Sequence, residues 1–372
     1  RARMSEALPE IDDFRRLFLD DVPLLDVRAP VEFTQGAFPN TENHPLINDA
    51  EREEIGTLYK DLGQDAAVDR GHELVHGAAK AARVAAWQAF AEQHPDGVLY
   101  CFRGGMRSKI SQQWLAEAMG RPYPRVKGGY KALRRFLIDQ LEQLCTQIHP
   151  LVIGGRTGVG KTLFLKTLPH TIDLEGLAWH RGSAFGRHAT PQPTQIDFEN
   201  RLAIQLLKHH AAGNAPLVFE DESRNVGSRS VPPALYQRLE RAPLLLLEAD
   251  VDTRIGYTRQ EYVNEALAEF QSLHGEQAGF NLWAESLLDS MDRIRKRLGG
   301  ERHQQLRAIL TQAIDTQRRN GDVSGHDAWI HSLLVDYYDP MYDYQLSKKQ
   351  GRILGRGGPK TIIEWANSGA TA

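Results

Sequence analysis

Short apolar runs alternate with longer stretches of helical spacing in the first part of the chain. Apolar residues recur every three or four positions in four stretches, which predicts helices at residues 11–19, 81–93, 106–119 and 130–145. Shorter runs predict strands at residues 23–26, 98–100 and 125–129. Residues 44–80 show little periodicity, and we expect an irregular polar insertion there. Because strands and helices alternate, the pattern predicts a parallel α/β unit.

A second α/β unit is expected to begin directly after Pro150. Apolar runs predict buried strands at residues 151–153, 217–219 and 244–247, and an amphipathic pattern predicts a long helix at residues 193–210. Beyond Asp252, an expected N-cap, the pattern is almost wholly helical to about residue 336. The sequence therefore predicts an α/β protein in three regions: residues 8–145, residues 146–250, and a helical extension at residues 251–360 that packs on the second region.

Composition is that of a soluble protein of about two domains. The chain has 372 residues, of which 41% are hydrophobic and 25% charged. No apolar run approaches the ~20 residues that span a bilayer, so we expect no membrane association. We expect the native start at Met4, no signal peptide, and a disordered tail at residues 367–372. Two cysteines form no disulfide framework and favour a reducing, cytoplasmic setting.

A specific motif marks the start of the second unit. Gly155, four intervening residues, and then Gly160, Lys161 and Thr162 lie between a predicted strand and a predicted helix, which is the context of a phosphate-binding loop. Gly155, Gly158 and Gly160 let backbone N–H groups turn inward around phosphate oxygens, and the helix N-terminus adds positive potential. Lys161 supplies a cation, and Thr162 a hydroxyl suited to a metal ion. The motif does not identify which diphosphate is bound.

The next strand predicts a metal site. Residues 217–219 are apolar, and Glu220 and Asp221 follow them at once. Phosphate-loop enzymes hold Mg²⁺ between the hydroxyl of the loop and an acid on a neighbouring strand. We therefore expect Thr162, with Asp221 or Glu220, to bind Mg²⁺. The alternative is an ordinary solvated strand end.

A polar segment follows the phosphate-loop helix. It is either a switch-like loop that closes over the ligand or a plain connection, because surface loops often carry function. Its candidate residues are His180, Arg181 and Ser183.

A cysteine loop lies between the predicted strand at residues 98–100 and the following helix. The positive end of that helix, with Arg103 and Arg107 nearby, favours the thiolate form of Cys101. Two glycines let the loop curl into a ring of donors around a small anion. We predict a reactive Cys101, with Arg103 and Arg107 holding the anion. Cys145, on an apolar helix face, is interpreted as ordinary packing.

These features lead to a first resemblance. In order along the chain, Asp26-Val27-Arg28, Glu32-Phe33, the Cys101 loop and Gly128-Gly129 resemble a rhodanese domain, whose family carries sulfur or selenium as a cysteine persulfide or selenopersulfide. The loop is one residue longer than the commonest rhodanese form, and it fits a tetrahedral phosphate-like ion. Its Cys-x5-Arg spacing also matches cysteine phosphatases, although Tyr100 stands where these usually have His.

The combination with a phosphate loop extends the resemblance. Residues 180–186, 219–224 and 338–344 complete a likeness, over roughly residues 8–355, to the tRNA 2-selenouridine synthase family. The resemblance implies that geranyl diphosphate S-geranylates a wobble 2-thiouridine and that selenium from selenophosphate then displaces the geranylthio group. The implied co-substrates are geranyl diphosphate at the phosphate loop and selenophosphate at Cys101. The implied partners are tRNA carrying a 5-substituted 2-thiouridine and an enzyme that supplies selenophosphate.

Two basic runs in the helical extension are candidates for contact with tRNA. One lies at residues 293–297 and is expected within one helix, and the other lies at residues 348–360 beside two tyrosines that can stack a splayed-out base. A solvated charged face is the plainer interpretation of such a run. The candidate residues are Arg295, Arg297, Lys348, Lys349 and Arg352.

Two other functions remain open from the residues. One is an ATP- or GTP-hydrolysing protein coupled to a sulfurtransferase or cysteine phosphatase domain. The other is a non-enzymatic regulator that senses nucleotide in one domain and redox state in the other. The chain lacks an Asn-Lys-x-Asp guanine-reading motif, and we expect a prenyl diphosphate rather than a nucleotide at the phosphate loop.

Overall fold

A computed structural model describes residues 7–368 and divides them into two compact units. The first unit runs to Gln143 and includes Thr194–Lys208, while the second comprises Leu144–Pro193 and the chain from His209 onward. Each unit contains a five-stranded parallel sheet with helices, which confirms the predicted α/β class. Residues 1–3, expected to precede the native start, and residues 369–372 of the tail expected at 367–372 lie outside the described residues, whereas Asn367 is the last residue of a helix.

The sheet of the first unit has the strand order β1-β5-β4-β2-β3, with every pairing parallel. Asp26 at the end of β2 is in register with Tyr100 at the end of β4. The segments that follow these two strands therefore start side by side at the carboxyl end of the sheet. The strands are β1 (Glu10–Ile11), β2 (Leu24–Asp26), β3 (Thr41–Asn43), β4 (Val98–Tyr100) and β5 (Arg125–Val126).

Seven helices begin between residues 7 and 143, in the first segment of the first unit. They are α1 (Phe14–Leu19), α2 (Pro30–Gln35), α3 (Asp49–Leu62), α4 (Gln64–Leu74), α5 (Gly77–Gln93), α6 (Met106–Met119) and α7 (Gly129–Cys145).

The expectation of an irregular insertion at residues 44–80 is wrong, because α3, α4 and the start of α5 occupy it. No residue of α3 is buried and Ala67 alone is buried in α4, so neither helix needs a periodic apolar stripe. Local chemistry starts α3 instead. Asn48 Oδ1 accepts a hydrogen bond from the backbone N–H of Glu51 at 2.8 Å, and Glu51 Oε1 accepts one from that of Asn48 at 2.9 Å.

The sheet of the second unit has the strand order β12-β11-β6-β8-β7, again all parallel. A short antiparallel hairpin, β9-β10, lies apart from it. The edge strand β12 was not predicted, because its glycine- and arginine-containing sequence lacks an apolar run. The strands are β6 (Pro150–Gly154), β7 (Thr171–Ile172), β8 (Leu217–Glu220), β9 (Asn225–Val226), β10 (Arg229–Ser230), β11 (Leu244–Leu247) and β12 (Ile353–Gly357).

The remaining helices follow the sheet strands or form a second apolar core around Trp283 and Trp329. π-helical segments at Gln260–Glu265 and Leu333–Tyr338 interrupt this helical part. The helices are α8 (Lys161–Leu165), α9 (Leu174–Ala178), α10 (Gln195–Ala211), α11 (Pro233–Glu240), α12 (Val251–Arg259), α13 (Ala266–His274), α14 (Glu276–Arg293), α15 (Arg295–Leu298), α16 (Gly300–Asn320), α17 (His326–Ser332), α18 (Asp339–Ser347) and α19 (Pro359–Asn367).

Two local expectations in this part are wrong. The N-cap of α12 is Asp250 rather than Asp252, since Asp250 Oδ1 accepts a hydrogen bond from the N–H of Thr253 at 2.7 Å. The basic run at residues 293–297 is not within one helix, because α14 ends at Arg293 and Ile294 leaves the helical conformation. None of the helices between residues 7 and 368 combines the length and the apolar composition that a membrane span requires.

Candidate functional site

Cys101 lies directly after the central strand β4 of the first unit. Its side chain is buried, and its Sγ atom lies 3.1 Å from Ser108 Oγ, in the first turn of α6. The hydroxyl of Ser108 in turn donates a hydrogen bond to Gly105 O, with an Oγ–O distance of 3.2 Å. The thiol is therefore fixed between the end of a strand and the beginning of a helix.

Two glycines, which have no side chain, let backbone segments approach each other closely beside Cys101. Gly104 and Gly129 both have positive φ, +71° and +60°, and a Cβ on Gly129 would lie 2.7 Å from Gly104 N. The N–H of Tyr130 also donates to Cys101 O at 2.8 Å. Within residues 7–368, the backbone N–H groups of positions 102–107 have no acceptor. The loop thus presents a row of donors that suits a small anion.

The two arginines of the loop have different environments. Arg107 forms a two-bond ion pair with Glu32, at 2.6 and 3.0 Å, and Arg52 Nε lies 3.3 Å from the same carboxylate. Burial raises the pKa of Glu32, but Arg107 and the N–H of Ala29 outweigh it, so the pKa is lowered. Arg103 is exposed and lies beside the ring of Phe102. Arg103 is therefore open to an incoming anion, whereas Arg107 would share its charge with Glu32.

Asp26 and Arg28 support the neighbouring loops. Arg28 donates to Asp26 through Nε and Nη2, at 3.1 and 2.7 Å, and Tyr100 Oη donates to the same carboxylate at 2.8 Å. Arg28 Nη2 also donates to Gly36 O at 2.8 Å. These buried bonds fix the ends of β2 and β4 to each other and bring no charge to a solvent-facing site.

The phosphate loop in the second unit has the backbone that its sequence requires. Gly155, Gly158 and Gly160 have φ values of +154°, +82° and +88°. A Cβ on Gly158 would lie 2.5 Å from Thr258 Oγ1 of α12, so only glycine fits there. Lys161 Nζ donates to Gly155 O at 2.7 Å, which holds the ammonium over the loop. The loop opens into a cavity of about 540 Å³.

Three glutamates converge beside Thr162. Its hydroxyl donates to Glu220 Oε1 at 2.8 Å, and Glu175, Glu220 and Glu222 each offer a carboxylate oxygen within 4.8 Å of the others. Burial and the charge of Glu175 raise the pKa of Glu220 to about 8, and burial and Glu220 raise that of Glu222 to about 8. Within the described residues, Glu220 Oε2 is buried without a hydrogen-bond partner. This group fits a hard divalent cation, which prefers oxygen ligands.

The two acidic residues that were expected to bind Mg²⁺ have different partners in the structure. Glu220 contacts Thr162, whereas Asp221 accepts two hydrogen bonds from Lys349 Nζ, at 3.0 and 3.1 Å. Sequence reasoning missed Glu222 and Glu175. Glu222 belongs to the same acidic run, which was a usable signal. Glu175 lies in α9, and nothing in the sequence links it to Thr162.

The segment with His180, Arg181 and Ser183 lines the same cavity. Burial, with the charges that His188 and Arg181 can carry nearby, lowers the pKa of His180 to about 4, so its ring is neutral at pH 7. Arg181 lies 3.2 Å from Glu269, and Ser183 Oγ lies 2.5 Å from the hydroxyl of Tyr262. The structure therefore brings all three expected residues to the phosphate loop.

Three apolar side chains are exposed at this cavity. Leu163, Trp179 and Tyr257 are 51%, 37% and 39% exposed, although each lines it. Trp179 has a φ of +54° and stacks on His188 with ring centroids 3.7 Å apart. An apolar surface therefore lies next to the phosphate loop and the three glutamates.

Comparison with known proteins decides the family. The family model described as the tRNA 2-selenouridine synthase AAA domain matches residues 148–372. A tRNA 2-selenouridine synthase of Marinobacter nauticus is 55% identical over 97% of this chain and 98% of its own length. Those of Bordetella bronchiseptica and Pseudomonas entomophila are 54% and 53% identical, over 95% and 97% of this chain and 96% and 97% of their own. The chain belongs to the tRNA 2-selenouridine synthase family.

The basic residues that were expected to contact tRNA have different environments in the structure. Arg295 and Arg297 are exposed on α15, and Lys348 is exposed above the ring of Tyr344. Lys349 is paired with Asp221, as described above. Arg352 donates to two backbone carbonyls of the protein, at 2.7 and 2.8 Å. Arg295, Arg297 and Lys348 are therefore open to phosphate contacts, whereas Lys349 and Arg352 have structural partners.

Proposed function

We propose that this chain converts the wobble 2-thiouridine of tRNA into 2-selenouridine in two stages, at two different sites. In the first stage, geranyl diphosphate S-geranylates the base at the phosphate loop. In the second stage, selenium from selenophosphate replaces the geranylthio group at the Cys101 loop. The names of its relatives and the presence of two separate anion sites support this proposal.

The observation that carries the proposal is the composition of the cavity at the phosphate loop. The glycine backbone and Lys161 suit a diphosphate, and the exposed side chains of Leu163, Trp179 and Tyr257 suit an apolar tail. A prenyl diphosphate has both parts. In this arrangement the head group lies on the loop while the tail covers apolar surface that is otherwise in contact with water.

The first stage breaks the bond between the first prenyl carbon and the diphosphate oxygen. The base sulfur forms the new carbon–sulfur bond, the N3 proton of the base is lost to solvent, and diphosphate leaves with the electron pair. Lys161 and the N–H groups of the loop stabilise the charge that develops on the leaving oxygen. Thr162, Glu220 and their glutamate neighbours would hold Mg²⁺, which supplies further neutralisation of the diphosphate when bound.

The second stage takes place on the first unit, which we propose to be a rhodanese-like domain with Cys101 at the reacting centre. The C2–S bond of the geranylated base breaks and a C2–Se bond forms. The geranylthiolate leaves with the electron pair and takes up a proton, and water cleaves the Se–P bond to release phosphate. The free N–H groups at positions 102–107, with Arg103 and Arg107, would hold the phosphate part of selenophosphate. A selenophosphate-supplying enzyme is the expected upstream partner.

Isothermal titration calorimetry with geranyl diphosphate and with ATP, each with Mg²⁺, tests the first stage. We expect geranyl diphosphate to bind and Lys161→Ala to weaken that binding. Tight binding and steady hydrolysis of ATP, without affinity for the prenyl diphosphate, would instead identify a nucleotide-hydrolysing protein.

A further inference from the structure

A second cavity, of about 740 Å³, lies wholly within the first unit. The helices α3 and α4 form one wall, and the beginning of α6 with Phe102 forms the other. Its volume falls in the range of about 300–1,000 Å³ that is usual for small-molecule sites. Most of the lining is aliphatic or aromatic, including Leu46, Ile47, Ile55, Val68, Val75 and Ile110.

This cavity adjoins the cysteine loop. Cys101 belongs to the same apolar cluster as Leu46, Ile47 and Val75, which also line the cavity. Four residues of the loop and of the first turn of α6 complete the lining, namely Phe102, Arg103, Met106 and Arg107. A group bound in the cavity therefore lies against residues of the cysteine loop.

The charged side chains that line the cavity are all basic, and two of them, Arg52 and Arg107, pair with Glu32 outside the lining. Arg52, Lys60, Arg103 and Arg107 contribute to its lining, and within the described residues no acidic side chain does. An apolar interior with a cationic rim suits an apolar chain attached to an anionic body. A prenyl group carried by a tRNA nucleotide has this combination.

We propose that this cavity holds the S-geranyl group of the modified tRNA while selenium replaces it. The inference rests on the two-stage function proposed above. When the C2–S bond breaks, the electron pair leaves with the sulfur, and the ten-carbon thiolate is protonated inside or at the mouth of the cavity. Because the cavity binds the prenyl chain and not the base, it selects the geranylated nucleotide over unmodified 2-thiouridine for the second stage.

The test fills the cavity without touching the cysteine loop. Val68 lines the cavity from α4, and Val68→Trp places an indole in it. Asp69, the next residue, is exposed and outside the lining, so Asp69→Trp is the matched control. Affinity is measured by fluorescence anisotropy for two anticodon stem-loop RNAs, which carry S-geranyl-2-thiouridine or S-methyl-2-thiouridine. Conversion of geranylated tRNA to selenouridine is measured by mass spectrometry of nucleosides.

The parent and Asp69→Trp proteins should bind the geranylated RNA roughly tenfold more tightly than the methylated one. Val68→Trp should lose this preference, keep its affinity for the methylated RNA, and convert geranylated tRNA correspondingly more slowly. An unchanged preference overturns the inference, and so does an equal loss for both RNAs, which would indicate a cavity that binds RNA or another partner. If the parent binds geranylated RNA but never converts it, the proposed function itself fails.

Discussion

Arg254 and Asp339 form a buried, two-bond salt bridge, with Nη1–Oδ2 and Nη2–Oδ1 distances of 2.9 and 2.5 Å. Arg254 lies on α12 and Asp339 begins α18. Arg254 Nε also donates to Thr157 O, inside the phosphate loop, at 3.0 Å. The same helix α18 carries Asp343, which pairs with Arg156 of the loop at 2.8 Å. The segment at residues 338–344 thus supports the phosphate loop from outside its own sequence motif.

Asp339→Asn should destabilise the second unit. The substitution leaves the Arg254 guanidinium buried beside a neutral group, and losing one partner of such a pair costs about 3–5 kcal/mol. Urea unfolding measures the loss of stability. Titration with geranyl diphosphate measures how far the affinity of the phosphate loop also falls. Asp343→Asn is the control, since that pair is about half exposed and should cost at most about 1 kcal/mol. Equal losses for the two variants would contradict the buried role of Arg254.

In the Mg²⁺-free protein, the stability that Glu220 and Glu222 contribute should fall as the pH rises from about 4.5 to 8, whereas the lowered pKa of His180 acts in the opposite direction between about pH 4 and 6.5. The pKa values of Glu220 and Glu222 are raised from 4.5 to about 8, so the folded protein keeps protons that the unfolded chain has already released. Mg²⁺ displaces these protons, and its affinity should therefore increase with pH over the same window. Urea unfolding at several pH values, with and without Mg²⁺, measures both effects.

Two variants control this pH experiment. Glu220→Gln should flatten the pH dependence of stability and weaken Mg²⁺ binding. Glu285→Gln removes an exposed glutamate of α14 and should change neither. A pH dependence that survives Glu220→Gln combined with Glu222→Gln would assign the effect to other groups.

Lys161→Ala should strongly reduce both products when the substrate is 2-thiouridine tRNA. The lysine supplies charge to the leaving diphosphate, and loss of one such group typically lowers the rate about 10²–10³-fold. The same variant should still convert tRNA that was geranylated beforehand. Mass spectrometry of nucleosides from both reactions checks this. Loss of activity on both substrates would place the two stages at one site.

Cys101→Ala should stop selenium incorporation, because Cys101 is at the reacting centre that we propose for the second stage. Geranylated tRNA should then accumulate, because the phosphate loop of the first stage is in the other unit. The matched control is Cys145→Ala, which removes the other buried thiol. The control should yield 2-selenouridine at the parent level. Absence of geranylated nucleoside in the Cys101→Ala reaction would argue against a separate first stage.

Binding of tRNA should depend on Arg295 and Arg297. Each exposed guanidinium that contacts a phosphate contributes roughly 0.7–0.9 to the slope of log affinity against log salt concentration. Arg295→Ala combined with Arg297→Ala should therefore weaken binding and flatten this slope, as measured by anisotropy at several salt concentrations. Arg352→Ala should leave the slope unchanged and lower the melting temperature instead. An unchanged slope in the double variant would place the tRNA elsewhere.

The sequence could predict those helices and strands whose buried apolar residues recur at a regular spacing. The helix predicted at residues 106–119 and the buried strands β6, β8 and β11 all follow apolar spacing, and the structure confirms them. The exposed helix α3 and the edge strand β12 do not bury a continuous stripe, so periodicity could not reveal them. Of the carboxylates near Thr162, Glu220 follows directly from its strand. Glu175 could not be predicted, because only the fold brings α9 to the loop.

The position of β12 sets the order in which the phosphate-loop unit can be completed during synthesis. Its neighbour β11 ends at Leu247, whereas β12 begins at Ile353 and covers the open edge of β11. On the ribosome, the early strands must wait for the intervening helices to be translated before that edge is closed. The amphipathic helix α19 then adds Ile362 to the core beneath the sheet. A ribosome that stalls within the helical region would therefore leave a four-stranded intermediate with an unpaired edge, a natural target for chaperones.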